Sequence, residues 1–174
     1  MISNKGLSLA QMNAAFPAVQ ISNGLLHIAL FKGTAPKISK ALDLMPHGGV
    51  GSVLNWASVV SNLGLLQTNY LGDMACPPMT PIVNAVARTV TLPFGGLSST
   101  LTGEADGTPT FYVARSITSN TVASWAGFAY NTAIAGPFWI GTVGDQGSDA
   151  ELQFIGGTIK TGQAYRFLDL TIQL

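Results

Sequence analysis

The sequence predicts an all-β protein, an antiparallel β-sandwich or jelly roll preceded by a short N-terminal helix or arm. Three observations predict it. From residue 89 onward the text falls into short β-branched and aromatic runs. Gly, Asn and Asp turn residues divide each run from the next, and no helical pattern intervenes. The length, 174 residues, suits one domain with a sizeable core. The expected organisation is an arm or short helix over residues 1–23 and a single sandwich domain over 24–174.

In chain order, SLAQMNAAFPAVQ places Leu9, Met12 and Phe16 at helical spacing, with Ser8 as cap and Pro17 as terminator. LLHIALFKGTAP reads as a buried strand closed by Gly33 and Pro36. Residues 37–49 read as a loop with a helical turn around Ser39 to Met45. GSVLNWASVVSNLGLL fits either structure, since Val53, Leu54, Trp56, Val59, Val60 and Leu63 form a helical stripe nearly as well as a strand. CPPMTP is an extended crossing, because Pro77, Pro78 and Pro81 restrict their neighbours. ARTVTLPF puts Val90 and Leu92 on one face of a strand and Thr89 and Thr91 on the other. TPTFYVARSIT, ASWAGFAYN, PFWIGTV, AELQFIG and AYRFLDLTIQL follow as strands, with GGTIKTGQ a turn-strand-turn unit before the last.

Composition narrows the function. Only 9% of residues are charged, and eight basic side chains balance eight acidic ones, against roughly 25% charged in an ordinary soluble domain. A neutral, weakly charged surface promotes association, so much of it is expected to face neighbours in a homo-oligomeric assembly. No Lys/Arg cluster is dense enough to track a phosphate backbone, so no nucleic-acid partner is expected; Lys32, Lys37 and Lys40 are the closest group. No run approaches the roughly 18 apolar residues of a membrane span, and the first residues lack the apolar core of a secretory leader. The single cysteine, Cys76, excludes an internal disulfide and a thiolate metal site. An intracellular origin is expected.

Candidate chemistry is sparse. Asp145, Asp149 and Glu151 in GTVGDQGSDAEL are spaced too widely for a calcium loop. They read as a hairpin turn whose aspartates accept local backbone N–H bonds. His27 lies in an apolar run and reads as an interior side chain; His47 has no partner at metal-ligand spacing. No GxSxG elbow exposes a serine, and GGVG and FGGL lack the lysine of a phosphate loop. Glu104 and Asp106 are the remaining close acidic pair, in a polar turn, for a hydrolase that would need two opposed carboxylates. Of the aromatics Tyr112, Trp125, Phe128, Tyr130, Phe138 and Trp139, the sugar-stacking candidates are Trp125, Trp139 and Tyr130, although a β core demands aromatics at the same positions. No catalytic residue, cofactor or metal ligand is assigned. The arm residues Leu7, Leu9, Met12 and Phe16 are the candidate assembly contacts.

The segments GTPTFYVARS, IGTVGDQGSDAELQF, GGTIKTGQ and the closing LDLTIQL, with LLHIALFKGTAP upstream, resemble a family of small tailed-bacteriophage virion structural proteins. The resemblance covers about half the chain and rests on turn signatures. It departs at residues 119–136, which look like an insertion, and at residues 50–82, which match nothing in the pattern. It implies a β-sandwich subunit without catalytic residues: a capsid decoration protein, or a neck or tail component. Such a subunit is made in the host cytoplasm, resides in the virion and contacts major capsid, neck or tail proteins. The alternative from another class is a carbohydrate- or receptor-binding module using exposed aromatics.

A short helix is marginal alone in water and gains order from packing. If residues 1–23 pack on a neighbour, their deletion will leave the β-sheet circular dichroism and thermal transition nearly unchanged. Incorporation into particles will fall by roughly tenfold or more, about 1.4 kcal/mol. A truncated protein that stays folded and still fills its place at wild-type level disproves the arm.

Overall fold

The computed structural model describes residues 25–37, 39, 55–77, 79–84, 86–87, 89–93, 100–117, 124–130 and 138–173. The expected arm, His47 and nearly all of the 37–49 loop lie outside the described residues.

LLHIALF forms β1 (Leu25–Phe31), an interior strand of the largest described sheet. Leu26 to Phe31 are all buried, as befits a strand covered on both faces. Antiparallel neighbours flank it: β2 (Tyr70–Cys76) on one side and β6 (Phe111–Ile117) on the other. With β7 (Phe138–Asp145) and β8 (Leu152–Phe154) they make a five-stranded sheet ordered β2-β1-β6-β7-β8. The last pair, β7 with β8, is parallel, a departure from the antiparallel expectation. The chain turns after β7 and regains the sheet edge in the same direction within six residues, Gln146 to Glu151.

Two smaller antiparallel sheets complete the strands among the described residues. One joins β3 (Ile82–Asn84), β4 (Thr89–Leu92) and β10 (Leu170–Gln173) in the order β10-β4-β3; the other pairs β5 (Leu101–Thr102) with β9 (Ala164–Tyr165). The alternation expected of ARTVTLPF holds: Val90 and Leu92 are buried, while Thr91 meets Thr171 across the strands at 3.2 Å. AYRFLDLTIQL, expected as one strand, divides into β9 and β10 around Phe167, which bridges to Phe154.

Two α-helices among the described residues cover one face of the large sheet. α1 (Trp56–Leu63) settles the ambiguous text as helix: Asn55 Oδ1 accepts from Ser58 N at 2.8 Å, and Trp56, Val59, Val60 and Leu63 make its buried stripe. α2 (Trp125–Ala129) replaces the strand expected of ASWAGFAYN. Ser124 Oγ accepts from Gly127 N, and Trp125, Phe128 and Ala129 lie at i, i+3 and i+4 on the buried side. That spacing is incompatible with a strand, whose faces alternate every second residue.

Two clusters form the core, one on each face of the large sheet. Leu26, Ile28 and Leu30 of β1 join Val90, Leu92, Leu101 and Leu170 from the smaller sheets. Ala29 and Phe31 join the helices instead, with Trp56, Trp125, Phe128, Tyr70 and Phe111. A bulge in β2 adjusts this second face: Leu30 pairs with Gly72 and Phe31 with Tyr70, leaving Leu71 extra. Tyr70 and Asp73, three positions apart, therefore reach the same side. Gly72 has φ +144°, and a side chain there would press Thr102 O at 2.7 Å, so only glycine fits.

Candidate functional site, a buried Asp–His–Arg chain

Three adjacent strands each carry one polar side chain into the helix-covered face. His27 on β1 pairs directly with Arg115 on β6, and Asp73 on β2 pairs with Ala29, one step diagonal to His27. They are 1%, 3% and 1% exposed, respectively. His27 Nε2 lies 2.6 Å from Asp73 Oδ2. Arg115 Nε and Nη2 lie 3.4 and 3.3 Å from His27 Nδ1. A guanidinium has only donors, so Nδ1 must accept, and the ring hydrogen sits on Nε2, where it donates to Asp73. The partners set the tautomer from both ends.

The aromatic cluster closes around this chain. The Arg115 guanidinium carbon stands 4.6 Å over the Trp56 ring and 5.5 Å over Phe128, positions where a cation is attracted to the ring face. Nη2 also approaches Gly127 O of α2 at 3.5 Å, and Phe128 meets the His27 ring edge-on at 5.7 Å. Burial pulls the Arg115 pKa down to about 10, and the Asp73 carboxylate opposes that pull. The group stays cationic at neutral pH, so it and Asp73 neutralise each other through the imidazole.

On the far side of Asp73 the site grows acidic. Tyr70, buried beside Trp125, has its hydroxyl pushed far up by burial and then by the Asp73 and Glu104 carboxylates. It lies near both but closes a hydrogen bond with neither, and Asp73 Oδ1 is likewise unpaired among the described residues. Burial and the Asp73 charge raise Glu104 above the usual carboxylate range.

Chemically, the chain is an orienting network without a reacting atom. An imidazole acting as a base must offer one nitrogen to a nucleophile or a water; both nitrogens of His27 are taken inside the core. The reading of His27 as an interior side chain matches its place. Asp73 and Arg115 escaped notice in the sequence. The signal for them was there, a single histidine, aspartate or arginine in each of three apolar runs, LLHIALF, YLGDMAC and FYVARSI, in a chain with 9% charge.

The other candidates scatter. Asp145 and Asp149 are exposed at a turn, but it joins the parallel strands β7 and β8 and is not the expected hairpin, and Gln153 supplies the side-chain bracing expected of the aspartates. Its Oε1 accepts from Gly147 N at 2.9 Å and its Nε2 donates to Ser148 O at 2.6 Å. Glu151 leaves the turn and accepts from Tyr112 Oη at 3.1 Å. Gly141 makes room for that bond, since a side chain there would overlap Glu151 Oε2 and Tyr112. Asp106 and Glu104 diverge: Glu104 faces Tyr70, whereas Asp106 accepts from Thr161 N, Thr161 Oγ1 and Lys160 Nζ. Those bonds, Thr161's first, hold exposed Asp106 at about 2.

The sugar-stacking trio does not share a surface. Trp125 is buried under α2, Trp139 packs against the opposite face of the sheet, and Tyr130, 67% exposed, ends α2. Leu7, Leu9, Met12 and Phe16 lie outside the described residues. Among the described residues no three His, Cys, Asp or Glu side chains gather as a metal site. No helix there is long and apolar enough to cross a membrane. No family model, curated protein or solved structure matches the chain.

Two predictions follow from these geometries. Arg115→Met will cost about 3–5 kcal/mol in urea unfolding, because it strands the Asp73 charge in the core. The triple variant Asp73→Leu, His27→Leu, Arg115→Met will lose less than that single change; if it loses more, the chain is not a coupled unit. Burial raises Glu151 above its unfolded value, with the Tyr112 hydroxyl and Thr142 amide opposing. A raised carboxylate stabilises the fold below its unfolded pKa, about 4.3, and loses that contribution as pH rises through the folded value. Glu151→Gln will therefore melt higher than wild type near pH 7, with the gap closing toward pH 4. A gap that stays constant, or reverses at pH 7, refutes the assignment.

Proposed function

We propose that this protein is a non-enzymatic structural subunit of a bacteriophage virion, a capsid decoration protein or a neck or tail component. In this reading its sheets act as the layers of a β-sandwich. It is made in the host cytoplasm, resides in the particle and works through protein–protein contacts in a symmetric assembly.

The observation that carries the reading is where the chain spends its few charges. Asp73 and Arg115 are consumed with His27 in the core. The exterior meanwhile presents Ile82, Val86 and Ile155 at 59%, 80% and 69% exposure on a chain of zero formal charge. A surface short of charge and dotted with large aliphatic side chains is suited to burial against neighbours. The turn text resembling the virion family supports the same reading. The glycan-binding alternative draws only on Tyr130, because its companions are buried or face the other side of the sheet.

Quantitative mass spectrometry of purified particles tests it. A copy number matching the capsid lattice places the subunit on the capsid surface, and one matching a single ring places it in the neck or tail. Absence from washed particles overturns the proposal.

A further inference from the structure

His27 is enclosed by its own partners. Asp73 accepts from Nε2 at 2.6 Å, and Arg115 Nε and Nη2 point at the lone pair of Nδ1 from 3.4 and 3.3 Å. A further proton on this ring has one place to go, Nδ1, where its hydrogen would face the Arg115 N–H groups. Two adjacent cations would then share one carboxylate in a core where His27 is 1% exposed. Few other titratable groups surround the chain among the described residues. β2 adds Tyr70, whose hydroxyl is pushed far up by burial and then by the Asp73 and Glu104 carboxylates, so it stays neutral. The turn after β5 adds Glu104, raised by burial and then by Asp73. α1 and α2 carry no ionisable side chain. The group that can leave is Arg115, and it fastens both helices. Its guanidinium stands over Trp56 of α1 and Phe128 of α2, and Nη2 reaches Gly127 O.

We propose that the Asp73–His27–Arg115 chain is an acid-sensitive latch, in which a proton on His27 displaces Arg115 and lets the helices lift from the sheet. Opened, the imidazole reaches water and takes a proton as an exposed histidine does, at about pH 6.5. Closed, Nδ1 is occupied by the Arg115 donors and holds none. Opening therefore takes up one proton, and the ratio of open to closed grows by up to about tenfold per pH unit below that value. Glu104 works the other way: a carboxyl raised in the closed state favours that state in acid, so it blunts the response. α2 is the element to yield first, because a helix of five residues has little stability of its own. The opposite face of the sheet packs through a separate apolar cluster and keeps the strands together. The latch does not rest on the virion reading, and either can fail alone.

Tryptophan emission, binding of a hydrophobic dye and far-UV circular dichroism, followed on the full chain from about pH 8 to about pH 5, test the latch. Wild type is expected to shift its emission to longer wavelength and to gain dye reversibly, with its β-sheet signal retained. His27→Gln offers an amide N–H to Asp73 and a carbonyl to Arg115 but no site for a proton. Its open population at the acid end is expected to be lower by about tenfold or more. His47→Gln, which removes the other histidine, is expected to respond as wild type does. Should His27→Gln fail to fold, nitrogen NMR of the imidazoles in wild type and His47→Gln replaces it: His27 is expected to take up its proton in step with the emission change. A flat wild-type response overturns the latch. So does a folded His27→Gln protein that opens like wild type, a His47→Gln protein that no longer opens, or proton uptake by His27 without an emission change. Loss of the β-sheet signal together with the emission shift also overturns it, because the whole chain then unfolds rather than one face.

Discussion

The fold depends on a charge pair held apart by an imidazole. Asp73 and Arg115 do not touch; His27 stands between them, donating to one and accepting from the other. Taking a carboxylate and a guanidinium out of water costs several kcal/mol each, and the expense is offset only when geometry and hydrogen bonds are complete. The pairing here requires three strands in one register and two helices above them, and it still leaves Asp73 Oδ1 without a partner among the described residues. A slip of one residue in β1 would turn His27 to the other face and strand both charges. The chain thus adds little to stability in itself but penalises every alternative packing of this face.

The aromatic cluster is shaped to the same end. Trp56 and Phe128 flank the guanidinium, and Phe128 also meets the histidine. The helices therefore contribute polarisable ring faces as well as apolar area, and they hold water away from the ion pair, which strengthens it. Without α2 the Arg115 head group would lose Phe128 and the Gly127 carbonyl together. On the opposite face the sheet uses purely apolar packing against the smaller sheets, with Tyr112 and Glu151 the polar exception at its rim.

A protein so economical with charge has its ionisable groups committed to structure at several points. Asp106 ties the turn after Gly103 to Thr161 and Lys160, and Lys32 reaches the backbone of Asp106. These bonds tie together loops from three parts of the chain at one end of the molecule.

By itself the sequence determined the β-rich character, the burial of LLHIALF, the two faces of the strand at Thr89 to Leu92, and the presence, though not the connection type or bracing, of a turn at Asp145 to Asp149. Each follows from local alternation or turn chemistry, which acts over a few residues. The helical spacing at Trp125, Phe128 and Ala129 was also present, but five residues of it were outweighed by flanking β-type text. Only the tertiary structure decided the parallel β7–β8 pair, the bulge that turns Tyr70 and Asp73 to one side, and the Asp73–His27–Arg115 chain. Its members lie 46 and 88 positions apart. No periodicity reaches that far. What brings them together is the order of strands in the sheet, set by how the whole apolar content of the chain can be buried at once.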